Sequence, residues 1–180
     1  MTFQKMEENI KHLACTNNWE EHHAKVDAPK CLVLGSFNPH IDTNSATPFY
    51  YCRLPKAGRG NRFWPFVSEE LSFDANCRED ENARIRAMNQ GKFIFMDLID
   101  TLTISSSNSE VIRTYLNDDI SSFSDAAVWS SSSRKLGPEL TICRTYNTRI
   151  FDVLKKYQSS LQYVVFTLGP SGLTPLIKRK

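Results

Sequence analysis

Paired cysteines, long apolar runs and a surplus of one charge are all missing from this 180-residue chain. Each absence excludes something. The five cysteines (Cys15, Cys31, Cys52, Cys77 and Cys143) are scattered, odd in number and nowhere spaced C-x-x-C. That pattern speaks against a zinc site and against a disulfide scaffold, so neither a metal nor another cofactor is expected. Cys31 and Cys143 stand in apolar stretches and read as small core residues. No run is apolar for long enough to cross a bilayer, and no secretory leader is readable. The expectation is a reduced, cytoplasmic protein away from membranes. A formal net charge of only +2 gives no global basic field. Internal repeats and long linkers are missing too, and the length suits one domain with a good core.

What is present concentrates in Lys30–Val67, KCLVLGSFNPHIDTNSATPFYYCRLPKAGRGNRFWPFV. An apolar strand, Cys31 to Leu34, runs into Gly35-Ser36-Phe37-Asn38-Pro39. An α/β protein builds a site in this way, at the carboxyl end of a strand. A polar loop, the aromatics Phe49-Tyr50-Tyr51 and the segment Asn61-Arg62-Phe63-Trp64-Pro65 follow. Arg53, Lys56, Arg59 and Arg62 stand together with no acid between them, and Glu69, Glu70, Asp74, Glu79, Asp80 and Glu81 come next. Such a local basic footprint beside an acidic surface is compatible with nucleic-acid contact, and equally with solvated charge on two loops.

Around this stretch the periodicities alternate. Phe3, Met6, Ile10 and Leu13 are spaced for a helix, so residues 1–29 are expected as a helical segment packed on a domain of residues 30–180. His22 and His23 point in different directions on a helix and read as surface residues. Pro29 opens the first strand. Phe66 to Met88 reads as helix, loop, helix, ended by Gly91 after the last turn. Lys92–Ile99 is a second buried strand. Thr101 to Asn108 reads as a hydroxyl-rich loop, and Asn108-Ser109 begins a helix through Val111, Ile112 and Tyr115. Glu139–Cys143 makes a third strand, Thr145 to Tyr157 a helix with Tyr146, Ile150, Phe151 and Leu154 on one face, and Tyr163–Leu168 a fourth strand. Alternating strands and helices predict a three-layer α/β/α sandwich around a central four-stranded parallel sheet.

In order along the chain, Asn38-Pro39 after a strand, Phe49-Tyr50-Tyr51, Asn61-Arg62-Phe63-Trp64-Pro65, Met96-Asp97-Leu98-Ile99, the serine-rich Ser105 to Asn117 and Pro170-Ser171-Gly172-Leu173 resemble the uracil-DNA glycosylase superfamily. The likeness is greatest to its mismatch-specific uracil and hypoxanthine branches. It implies a DNA glycosylase acting on double-stranded DNA with a damaged or modified base, hypoxanthine or uracil first, and a monomer is expected. A base inside a duplex must be flipped into a pocket. By this resemblance Ser36, Phe37, Phe49 and Tyr51 bind the base, the aromatics by stacking at ~1–3 kcal/mol per base. Asn38 or Asn61 positions the attacking water, and an amide offers donor and acceptor without charge. Arg53, Lys56, Arg59 and Arg62 hold phosphates while Ser171, Gly172 and Leu173 enter the minor groove, Leu173 as the wedge. No lysine stands in an apolar pocket to form a Schiff base, so the enzyme would be monofunctional.

Gly35 lies three residues before Asn38, where the mismatch-specific branch has its glycine two before the asparagine, so the choice between Asn38 and Asn61 stays open. The last loop has no histidine, unlike the strongest uracil-excising branch. Plainer roles also remain: Trp64 as core, Asn61 as a helix cap, Asp97 as a strand end, His40 on the surface. Gly35–Pro39 with His40, and Ile104 to Ser107 downstream, also resemble dinucleotide-forming nucleotidyltransferases. That family requires a histidine pair, and His40 has no partner between Ile41 and Pro48. A non-catalytic DNA-binding relative of the glycosylase fold is the third reading.

Overall fold

In the computed structural model, residues 6–11, 23–37, 63–72, 77, 80–120, 128 and 139–167 are described. Along the chain run β1 (Met6–Lys11), β2 (Cys31–Gly35), α1 (Phe63–Glu70), α2 (Glu81–Gly91), β3 (Phe93–Asp97), β4 (Ile99–Ser106), α3 (Ser109–Thr114) with a π-helical continuation Tyr115–Ile120, β5 (Thr141–Tyr146), α4 (Arg149–Lys156) and β6 (Tyr163–Phe166). The architecture is mixed α/β with two three-stranded sheets: β3-β2-β6, parallel, and β1-β4-β5, antiparallel.

The parallel sheet is built from near-continuous apolar runs, the composition of strands covered on both faces. β2 and β3 pair from Cys31↔Phe93 to Gly35↔Asp97, and β2 and β6 from Cys31↔Tyr163 to Leu34↔Phe166. Every residue of β3 is buried, while β6, at the edge, is exposed along its length. Side chains alternate between faces along a strand, so Phe93, Phe95 and Asp97 share one face. α1 covers that face: Phe63 and Trp64 meet Phe93 and Phe95 with ring centroids 5.2–6.3 Å apart. Edge-to-face pairs of this kind contribute about 0.5–1.5 kcal/mol each beyond their burial. Trp64, 1% exposed, is thus a core residue.

α2 begins at Asp80, whose carboxylate accepts from the Asn82 N–H at 2.8 Å. Its other end departs from the expected glycine cap. Lys92, not Gly91, takes the left-handed conformation (φ 53°), and its N–H returns to the Met88 carbonyl. Gly91 serves close approach instead, because a Cβ there would lie 2.5 Å from the Phe93 ring.

Three expectations change at the antiparallel sheet. The segment around Met6 and Ile10 is a strand rather than a helix. In β1, Ile10 lies against Leu102, and a strand six residues long shows too few repeats to separate period two from period four. Thr101 to Ser106, expected as loop, continues β4, since β-branched and hydroxyl residues suit a pleat with one polar face. Between Ile99↔Tyr146 and Thr101↔Thr145 the register shifts, leaving Asp100 as a bulge. Leu102 and Ile104 then enter the second core with Ile10, Phe37, Ile112, Tyr115 and Ile142, while Thr103 donates to the Asn9 side chain at 2.7 Å.

The segment read as the third parallel strand is β5, antiparallel to β4, so the parallel sheet has three strands among the described residues. Cys31 is half-buried and packed against the first core, as expected, whereas Cys143 alternates onto the polar face of β5 and is exposed. The last helix starts at Arg149, later than Thr145, and both Tyr146 and Phe151 are exposed. His23 is buried rather than on the surface. α3 follows its N-cap Asn108 as expected, the side chain accepting from the Glu110 N–H. No helix among the described residues is long and apolar enough to cross a membrane.

Two stability predictions follow from this packing. Alanine normally stabilises a helix by about 1 kcal/mol over glycine, but overpacking a buried ring costs about 1–3 kcal/mol. Gly91→Ala should therefore lower the urea midpoint, and a raised midpoint would show that Phe93 yields. Burial pushes the Cys77 thiol above its ordinary value of 9.0, against the opposing pull of the Ser68 hydroxyl and Arg84. A raised folded-state value contributes stability below the unfolded pKa that is lost as pH rises through the folded one. Stability should fall above pH 9.0, and Cys77→Ala should make that fall shallower in urea titrations across this range.

Candidate functional site at the carboxyl end of the parallel sheet

β2 is the middle strand, so whatever follows Gly35 emerges between two neighbours. The pairing does not stop where the strands do. Leu98 N–H donates to the Gly35 carbonyl and Ile99 N–H to that of Ser36, both at 3.0 Å. On the other side Thr167 N–H reaches the Leu34 carbonyl at 3.0 Å, and its hydroxyl donates to the same oxygen at 3.2 Å. Continued one step, the register places Asp97, Gly35 and Thr167 in one row across the sheet. Asp97 and Gly35 share the face that α1 covers, and Gly35 adds no side chain to the row. The row therefore sets a carboxyl-bearing residue and a hydroxyl-bearing residue on either side of a glycine.

Asp97 is 4% exposed, and a buried carboxylate requires polar partners or a function. At the sequence level it was weighed chiefly as a strand end; its burial and its place beside Gly35 bring it into the site. Ser36 is half-buried. Phe37 is 7% exposed and lies in the second core, so of these two base-binding candidates Ser36 keeps the more accessible position.

Asn147, between β5 and α4, was missed, because the helix was read from Thr145 through it. It is buried and closes the site from the side of the antiparallel sheet. Its N–H donates to the Leu98 carbonyl at 2.9 Å and its Nδ2 to the Asp97 carbonyl at 3.1 Å. Its Oδ1 accepts from both the N–H and the Nε of Arg149, each at 3.2 Å. The Nη2 of Arg149 is 3.5 Å from Oδ1 of the bulged Asp100, whose other oxygen accepts from the Thr101 hydroxyl at 3.1 Å. An asparagine two residues before a helical N–H is a capping signal, and it could have placed the helix start correctly.

Asn38, His40, Phe49, Tyr51, Arg53, Lys56, Arg59, Asn61, Arg62, Ser171, Gly172 and Leu173 lie outside the described residues. Phe63, the first residue of α1, directly follows Asn61-Arg62 and touches Phe95 at 5.2 Å between centroids. Phe95 stands two residues before Asp97 on the same face. Arg113, the arginine nearest the serine run in the nucleotidyltransferase reading, is an exposed i, i+3 partner of Glu110 on α3. Among the described residues no group of three His, Cys, Asp or Glu is placed to hold a metal ion.

Replacing Asn147 by alanine removes three side-chain hydrogen bonds, one of them to the Asp97 carbonyl, at a cost of about 2–3 kcal/mol. The midpoint of thermal unfolding should fall on the order of 5–10 °C; a fall under about 2 °C would show that water replaces the amide. Comparison with family models, with curated proteins and with solved structures gives no match to this chain.

Proposed function

We propose that the chain is a monofunctional, metal-independent DNA glycosylase that flips a deaminated or modified base from double-stranded DNA and excises it with water. The observation that carries this reading is the row Asp97–Gly35–Thr167 at the point where the chain enters Asn38. Deamination makes the same two changes to the pairing edge of cytosine and adenine: the exocyclic amine becomes a carbonyl, and the ring nitrogen that accepts becomes an N–H donor. A carboxylate offers acceptors only, so an Asp97 oxygen set against the ring nitrogen would favour the deaminated N–H and repel the lone pair of the undamaged base. Beside it, a residue without a side chain leaves room for a flat ring.

Breaking the N-glycosidic bond builds positive charge on the sugar and negative charge on the departing base. Fixed polar groups aimed at both, with a held water on the far face of the sugar, supply the stabilisation. Asn38 or Asn61 would hold that water, Phe49 and Tyr51 would stack the base, and Arg53, Lys56, Arg59 and Arg62 would hold phosphates. The finer architecture of that superfamily, with helices over both faces of one parallel sheet, belongs to the same proposal. So do action as a monomer, a cytoplasmic location and the absence of any bound cofactor.

The test uses labelled duplexes with a single hypoxanthine, uracil or thymine mismatch, treated with alkali after incubation. Alkali-dependent nicking at one of them is expected, slowed about 10²–10³-fold by Asn38→Ala or Asn61→Ala, whichever residue holds the water. Asp97→Ala should lower the rate on the preferred deaminated base more than it lowers affinity for undamaged duplex. Absence of both nicking and DNA binding would overturn the reading.

A further inference from the structure

Asn147 occupies a place that the excision chemistry above does not use. It is not in the row itself, yet its Nδ2 holds the backbone carbonyl of Asp97 at 3.1 Å. The same amide is held from behind, because its Oδ1 accepts two hydrogen bonds from Arg149 at 3.2 Å each. Arg149 is in turn fixed at 3.5 Å by Asp100, the one residue of β4 that the bulge turns out of register. Bulges of this sort re-aim side chains beside functional sites. The series Asp100, Arg149, Asn147, Asp97 therefore runs from a half-exposed ion pair to the backbone of the buried carboxylate.

Resting on the glycosylase reading, we propose that Asn147 is a positioning residue, which sets the height and angle of the Asp97 carboxylate over Gly35 through the Asp97 carbonyl, with Arg149 fixing the asparagine amide. Asp97 sits at the last position of β3, and Leu98 turns the chain toward the other sheet. A peptide at such a bend can rotate about its neighbours unless both of its polar groups are held. The Leu98 N–H is held by Gly35 and the Asp97 carbonyl by Asn147. Removing the amide frees the second of these two ties, and a displacement on the order of 1 Å is enough to lower a rate about 100-fold.

The discriminating measurement is single-turnover excision on hypoxanthine and uracil duplexes, together with the Kd for those duplexes. Full-length wild type, Asn147→Ala and Gly91→Ala are compared, each at the same interval below its own unfolding midpoint. Gly91→Ala is the control for lost stability alone, because Gly91 lies at the end of α2, away from the row. Excision by Asn147→Ala should be about 10- to 100-fold slower with Kd changed less than about threefold, while Gly91→Ala excises within about threefold of wild type. Arg149→Met, which withdraws the Nε donor and keeps Asn147, should fall between them and provides the comparison if Asn147→Ala does not fold. Wild-type rates in both Asn147→Ala and Arg149→Met overturn the assignment, as does an equal loss in Gly91→Ala. Excision by wild type on neither duplex overturns this assignment, and absence of DNA binding as well overturns the glycosylase reading.

Discussion

The structure depends on one continuous stretch of backbone, Phe93 to Ser106, serving two sheets of opposite kind. Its first five residues pair in parallel with β2 and its last eight are antiparallel to β1 and β5. Between them, Leu98 turns the chain while the hydrogen bonds continue across it, from Leu98 to Gly35, from Ile99 to Ser36 and from Asn147 to Leu98. Backbone polar groups buried at such a bend must be paired, because an unpaired one costs about 1–3 kcal/mol. That requirement draws three separate segments to one point. The end of β2, the turn before α4 and the junction of β3 and β4 converge because each supplies a partner that the others lack.

Two cores rest on this junction, one on each side. Leu32, Ile94, Phe95 and Trp64 belong to the first, and Phe37, Ile99, Leu102 and Ile104 to the second. Phe37 shows how closely they adjoin: two residues beyond Gly35, in the first core's middle strand, the chain is already packed in the second. The segment that leaves β2 here starts from a fixed point, which is the kind of rigid support that precise sites require.

Where the pattern was long and its cause local, the sequence was legible. β2 and β6 are apolar runs without charge, β3 is apolar up to its last residue, Asp97, and α2 and α3 carry their own polar starts, Asp80 and Asn108. Elements whose cause is non-local were not. β1 is a strand only because β4 lies beside it, and its six residues satisfy either period. Thr101 to Ser106 reads as loop by composition, yet those side chains fill alternate positions of a half-covered sheet. Lys92 adopts a left-handed conformation that a glycine would take more easily, while the glycine stands one place earlier, where the Phe93 ring leaves no room for a Cβ. At the site, the row Asp97–Gly35–Thr167 requires the register, which no single-sequence reading supplies. Asn147 is fifty positions from Asp97, and nothing in its neighbourhood indicates that contact.

The argument for a site at this level comes from where the buried-strand pattern breaks. In β3 the four residues before Asp97 are Phe93, Ile94, Phe95 and Met96, and in β2 those before Gly35 are Cys31, Leu32, Val33 and Leu34. All three strands of the parallel sheet abandon large apolar side chains at one register position, giving a carboxylate, a glycine and a threonine. A strand end in water explains Thr167, which is exposed, but Asp97 is 4% exposed and so does not face solvent. Burying a carboxylate carries a desolvation penalty of several kcal/mol that its partners must offset. A row that is polar or bare where the rest of the sheet is apolar is where local consistency gives way, as it commonly does at functional sites. It is there that the proposed reading would set the edge of a flipped base, with an acceptor and a hydroxyl on either side of a glycine.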